Sequence, residues 1–230
     1  QEPRHRMLHR LPHLEMLALR DVDADADDAA GIGVPLGHLQ ATTALRLDLG
    51  CGARARSGYF GVDLVERLGS DIVADLNQPL NLLPDNCCEA IYTRHALEHV
   101  QNLLTLMREI HRVCKPDARI EIVVPHFSNV YGHSDPTHVR FFGLYSMYYF
   151  CSREDQPMAR TVPNFYSDVR FRVERINIQF YRYSFLDRTL GRLLEKFTNL
   201  NLKTQDFFER RLAHLFHASQ INYTLTPVKV

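Results

Sequence analysis

In the string LRLDLGCG, residues 45–52, an apolar run carrying Asp48 passes straight into Gly50, Cys51 and Gly52. Glycines at the carboxyl end of a strand let the backbone take positive φ and let a ligand approach with no Cβ in the way. Asp63 closes the next apolar run and Asp75 the one after it. Open α/β sheets place an acid at the second of these positions to accept hydrogen bonds from ribose hydroxyls, so three Asp-tipped strands side by side describe a nucleoside crevice. His95 follows the fourth apolar run, at the edge where the reacting end of such a ligand would lie, and an imidazole is a natural base near neutral pH. His99, one helical turn on, reads as a structural hydrogen-bonding group. A second cluster, PHFSNVYGHSDPTHVRFF, follows the fifth run and brings together His126, His133, Asp135 and His138, the best candidate for an acceptor site. His133, Asp135 and His138 are also zinc or iron ligand types, but spacings of two and three in a loop are unspecific, and no metal is assigned.

Positioning these groups requires a sheet. From Ala44 onward, short apolar runs alternate with helical stretches, which predicts a parallel sheet covered by helices. The strand candidates are 44–50, 59–65, 71–76, 89–94 and 118–125. Between the last two, Leu97, Val100, Leu104, Met107 and Ile110 recur at spacings of three and four, marking one buried helix face that Pro116 terminates. Further on, 171–181 reads as a strand, LDRTLGRLLEKF and QDFFERRLAHLF as helices, and 221–228 as a closing strand. The span 41–230 is thus one open α/β domain, with 126–170 inserted as a loop-rich acceptor-site segment and 1–40 as an N-terminal extension. That extension combines a His/Arg/Leu-rich helical stretch with the acidic run DVDADADD, a solvated linker by composition. Within the insertion, Phe141, Tyr145, Tyr148 and Tyr149 fall at helical spacing and predict a core-facing helix. Arg170, Arg172 and Arg175 alternate with apolar residues as the solvent face of a strand.

A dinucleotide and a sulfonium nucleoside would both use Asp-tipped strands and a glycine turn. A dinucleotide needs GxGxxG opening a long helix whose N-terminus faces the pyrophosphate. Here the string is GCGARARSG, with Arg54 and Arg56 where that helix should begin, and the distance to Asp63 leaves room for a turn or two at most. A pyrophosphate would lose its principal anchor. S-adenosylmethionine carries no phosphate and asks only for close backbone approach and carboxylates, so the pattern favours the methyl donor.

Residues 45–125 resemble the Rossmann-like class I S-adenosylmethionine-dependent methyltransferases, in the small bacterial group with a short first crossover. The likeness rests on LDLGCG (47–52), GYFGVDL (58–64), DIVADLNQPL (71–80), AIYTRHALEHV (90–100) and LLTLMREIHRVCKPDARIEIVVP (103–125). It implies an open, mostly parallel seven-stranded sheet with helices on both faces and the last strand antiparallel. It also implies that Asp48 and the backbone of Gly50, Cys51 and Gly52 hold the methionine end of S-adenosylmethionine, and that Asp63, with Leu64 beside it, takes the ribose hydroxyls. Asp75 and Leu76 would meet the adenine, and Arg94 completes the cofactor-binding set. The chain departs from the family pattern in two places: Asp117-Ala118 stand where GG is usual, and Ala53 or Arg54 where a third glycine often follows.

Composition narrows the partner. Lys plus Arg and Asp plus Glu number 27 each, giving a formal net charge of zero and no global field for polyanions. The fourth run continues as TRHA, without the DPPY type of motif that holds an exocyclic base amine, which also argues against a nucleic acid acceptor. The expected acceptor is a small molecule or a glycan-like compound, methylated at oxygen with His95, His126, His133 or His138 as candidate catalytic groups. The competing expectations are a nicotinamide-dependent oxidoreductase and a non-catalytic donor-binding module. No apolar run approaches the ~18 residues a membrane span requires. The five cysteines form no CxxC pair, so reduced thiols and a cytoplasmic location are expected.

Overall fold

The computed structural model describes residues 17–18, 33–34, 45–66, 70–158 and 160–229. The acidic run and nearly all of the N-terminal extension lie outside the described residues. Two short strands, β1 (Leu17–Ala18) and β2 (Gly33–Val34), pair antiparallel ahead of the main sheet. The main sheet follows the nucleoside-crevice pattern. Its strands are β3 (Leu45–Leu49), β4 (Phe60–Asp63), β5 (Ile72–Val73), β6 (Cys88–Arg94), β7 (Cys114–Pro125), β8 (Arg170–Phe180) and β9 (Ala218–Val228).

In space the order is β5-β4-β3-β6-β7-β9-β8. The pairs from β5 to β7 are parallel, and β9 runs antiparallel to both β7 and β8. The expected seven-stranded, mostly parallel sheet with its last strand reversed is therefore the observed fold. The chain reverses direction of travel between β3, which leads outward to β4 and β5, and β6, on its other side. Such a switch point opens a crevice at the carboxyl ends of the strands, where Asp48, Gly50 and His95 lie.

Central strands of a parallel sheet are covered on both faces and read as near-continuous apolar runs. Leu45, Leu47 and Leu49 of β3 and Ile120, Ile122 and Val124 of β7 are buried accordingly. Each such side chain contributes about 1.5–3 kcal/mol relative to full exposure. Helix α1 (Leu103–Val113) crosses from β6 to β7 and buries Leu103, Leu106, Met107, Ile110 and Val113. This corrects the expected face: Leu104 points outward, because Leu97 belongs to a separate 3₁₀ turn, Leu97–His99, whose spacing is out of register with the helix. The helix gives way to β7 at Cys114, so Pro116 lies inside the strand's irregular start.

Helices α2 (Phe185–Thr198) and α3 (Leu202–Arg211) each begin with a reciprocal cap, Ser184 with Asp187 and Asn201 with Thr204. The aromatic string 141–150 is not a core-facing α-helix. It forms a short 3₁₀ turn, Ser146–Phe150, that buries Tyr148 and Phe150, with Tyr145 buried just ahead of it; Phe141 is exposed and stacked on His133.

Candidate functional site

At the end of β3 the chain turns in two left-handed steps, φ +72° at Gly50 and +63° at Gly52. The Gly50 amide donates to Val62 O at 2.8 Å, and the Gly52 amide donates to Asp63 Oδ2 at 2.8 Å. A Cβ at Gly50 would overlap the Cβ of Ala96 and come within 3.9 Å of Leu76 Cδ1. This glycine is where the ends of β3 and β6 and the loop after β5 meet. A Cβ at Gly52 would touch nothing within 4 Å, so one glycine permits close packing and the other faces open space.

Of the acids expected at this turn, Asp48 and Asp63 lie against it, whereas Asp75 falls two residues beyond the end of β5; each is held by backbone. Asp48 is buried and accepts the Arg56 amide on Oδ2 at 2.8 Å. Burial raises its pKa, opposed by that amide and by the Arg56 charge. Asp63 accepts Gly52 on one oxygen and the Val65 amide on the other at 3.2 Å, which leaves each oxygen a further lone pair. Asp75 accepts the Asn77 amide at 2.9 Å in an Asx turn. Asp71, which the sequence reading left out, accepts the Gly61 amide at 2.7 Å.

The electrostatic sum is recorded at Cys51. Its thiol is pushed up to about 11, first by burial and then by the negative charges of Asp63, Asp48 and Asp71. Three carboxylates thus act on this turn, a local charge that suits a sulfonium and an ammonium group better than a pyrophosphate. Among the described residues no helix follows the turn. The loop folds back instead, and Arg56 lies 4.4 Å from the Tyr92 ring centre and 5.1 Å from that of Tyr59 while its Nη1 pairs with Glu121 at 2.9 Å. Asp48, Tyr92 and Glu121 are in register across β3, β6 and β7, so Arg56 clamps one row of the sheet. The register of those strands was the only signal for Tyr92 and Glu121, and it is not visible in one strand alone.

His95 stands at the carboxyl end of β6 with φ 53°, a left-handed conformation that costs a non-glycine residue about 1–3 kcal/mol. Its amide donates to Val123 O at 2.9 Å, and its Nδ1 lies 3.3 Å from Glu98 Oε1. Ala96, its chain neighbour, is the residue against Gly50, so His95 flanks the glycine turn. Arg94 and Leu64 are exposed, whereas Leu76 sits beside Gly50.

The remaining histidines disperse. His126 is buried: its Nδ1 accepts the Ser128 amide at 3.1 Å, which places its proton on Nε2, donating to Glu209 Oε1 at 3.1 Å. The same Glu209 oxygen accepts the Leu144 amide. His133 stacks on Phe141 with its Nε2 3.1 Å from Phe127 O. His138 alone returns to the site's edge, its ring 4.7 Å from that of His99 and its Nε2 4.0 Å from Glu98 Oε1. The Val139 amide donates to Glu98 O and the Arg140 guanidinium to Val100 O, tying this part of the insertion beside His95.

Residues 47–122 match a family model described as a methyltransferase domain. No curated protein matches the chain. Among solved structures, the chain is similar to a SAM-dependent methyltransferase from Archaeoglobus fulgidus (16% identity, 81% of this chain and 86% of that one, TM-score 0.45). It is also similar to a putative methyltransferase from Bacillus halodurans (14% identity, 85% and 99%, TM-score 0.48). A third similar structure is a putative sarcosine dimethylglycine methyltransferase from Galdieria sulphuraria (17% identity, 85% and 81%, TM-score 0.46). The methyltransferase-domain match over residues 47–122 lies across the glycine turn, the acids and the fourth strand just described.

Proposed function

We propose that the protein methylates a hydroxyl of a small-molecule or glycan-like acceptor, with the donor seated on the glycine turn and His95 taking the acceptor's proton. The observation that carries the donor half is the pair of carboxylates, Asp48 and Asp63, held by backbone amides against a turn whose Gly52 faces open space. S-adenosylmethionine, when bound, supplies a methyl group already activated by the sulfonium. The chain has then to align and deprotonate. Asp63 keeps free lone pairs for the ribose hydroxyls after its two backbone bonds, and Asp48 is fixed beneath the methionine end by the Arg56 amide.

The acceptor half rests on His95. A strained backbone at the mouth of the crevice holds its imidazole with Nδ1 beside the Glu98 carboxylate, which orients the ring so that the other nitrogen can accept the hydroxyl proton. His126 is engaged at both nitrogens and His133 sits on Phe141, so His95 is the base of choice, with His138 close by as a lining group. The zero net charge supports a neutral acceptor over a polyanion.

The test is methyl transfer from radiolabelled donor to a panel of hydroxylated small molecules and oligosaccharides. His95→Ala should lower kcat by about 10²–10⁴ and leave donor affinity unchanged. Turnover that survives His95→Ala would remove the histidine from the mechanism. Transfer to nucleic acid in place of the panel would overturn the acceptor class.

A further inference from the structure

Behind His95 lies a group of side chains whose arrangement methyl transfer does not by itself explain. Glu98 is 1% exposed, and its Oε2 is buried with no hydrogen-bond partner. A buried carboxylate oxygen without a partner is costly, and a cation meeting it would remove that cost. Around Glu98 stand His99 and His138, and one ligand atom from each of the three lies within 4.8 Å of the other two.

The hydrogen bonds of the two imidazoles fix their protons. His138 Nδ1 is 2.8 Å from Gly132 O, an acceptor only, so the proton is on Nδ1 and the lone pair on Nε2, 4.0 Å from Glu98 Oε1. His99 Nδ1 is 2.9 Å from the Thr137 hydroxyl, which donates its own proton to Asp135 Oδ1 at 2.6 Å. The hydroxyl must then accept from Nδ1–H, and His99 too carries its lone pair on Nε2. Carbonyl and carboxylate partners on the far nitrogen are the arrangement that orients metal-bound histidines and raises their basicity.

We propose that Glu98, His99 and His138 bind one divalent transition-metal ion of the zinc class. Two imidazole nitrogens and a carboxylate suit zinc or a neighbouring first-row ion, and not calcium or magnesium, which prefer all-oxygen sites. Drawing the three ligands to bonding distance asks for side-chain shifts toward a common point, since zinc–nitrogen bonds are about 2.0–2.1 Å. His99 is exposed, so the cluster is open to solvent on its side. The ion would join the turn after β6 to the insertion that follows β7, the two segments already tied by Val139 and Arg140. The sequence pattern offered His133, Asp135 and His138 as ligand types without assigning a metal: in the structure His133 is stacked away on Phe141, and Asp135 accepts from Thr137 with its Oδ2 3.7 Å from His138 Nε2.

The experiment is calorimetric titration of the chelator-stripped full chain with zinc chloride, paralleled by cobalt(II) and its visible absorption, neither of which needs an acceptor or methyl transfer. One saturable equivalent with a Kd of about 1 µM or tighter is expected, along with a cobalt band of low-symmetry coordination. His99→Ala and His138→Ala should each weaken binding at least tenfold. Thr137→Val, which breaks the relay to Asp135, should weaken it by about 10–100-fold as an outer partner does. Glu98→Gln should abolish binding; should that variant fail to fold, His99→Ala, changed at an exposed side chain, decides alone. Absence of saturable zinc uptake overturns the proposal. So does uptake that persists unchanged in His99→Ala and His138→Ala, which would assign the ion to other histidines such as those of the N-terminal extension.

Discussion

The edge formed by β3, β4 and β6 and the insertion after β7 are both rich in polar residues, but they spend them differently. At the edge, backbone amides hold Asp48 and Asp75 on one oxygen and Asp63 on both, each time leaving lone pairs, with open space over Gly52. In the insertion, most polar groups close on one another: His126 on Ser128 and Glu209, His133 on the Phe127 carbonyl, Asp135 on Thr137. Side chains at strand ends are aimed by the sheet, whereas side chains in a loop are free to find local partners, and a long loop inside a compact domain needs those partners to hold its shape.

The sharpest way to break this contrast is to alter the two glycines of the turn. Gly50→Ala meets both a left-handed backbone and the Ala96 Cβ, so it should destabilise the protein by about 2–5 kcal/mol and abolish donor binding. Gly52→Ala pays only for its backbone, about 1–2 kcal/mol, and urea unfolding of the pair separates the two costs. In the insertion, Glu209→Ala strands the His126 and Leu144 donors and should cost about 2–4 kcal/mol of stability while leaving donor affinity intact. A fall in donor affinity there would erase the distinction between the regions.

Asp63→Asn should weaken donor binding by about 1–3 kcal/mol, through loss of charge-assisted hydrogen bonds to ribose and to the Gly52 amide, as calorimetry would read. The smallest effect belongs to Arg56→Ala. Its ring stacking and half-exposed ion pair with Glu121 together are worth about 0.5–1.5 kcal/mol, measured by urea unfolding.

The same contrast explains what could be read in advance. Alternating apolar runs and Asp-tipped strand ends are short-range patterns, so β3, β4, β6, β8 and β9 and the glycine turn were legible to within a few residues. The Leu104 assignment failed because a 3₁₀ turn and an α-helix share a spacing of three over short stretches, and only the helix start at Leu103 separates them. The aromatic run 141–150 misled for a related reason: its rings are placed by tertiary packing, with Phe141 drawn to His133 and Tyr145 to Asp206. Glu98 gave no signal at all. A charged residue in HALEHV reads as solvent-facing until the fold brings His138 and the Val139 amide against it.

S-adenosylmethionine is proposed to sit on the glycine turn lined by Asp48 and Asp63. Titrating the full chain in a calorimeter with S-adenosylmethionine, and in parallel with a nicotinamide dinucleotide, tests it most directly. One equivalent of the sulfonium compound should bind and the dinucleotide should not, with binding lost in Gly50→Ala and reduced in Asp63→Asn. Heat from the dinucleotide alone, or S-adenosylmethionine binding indifferent to both substitutions, would contradict it.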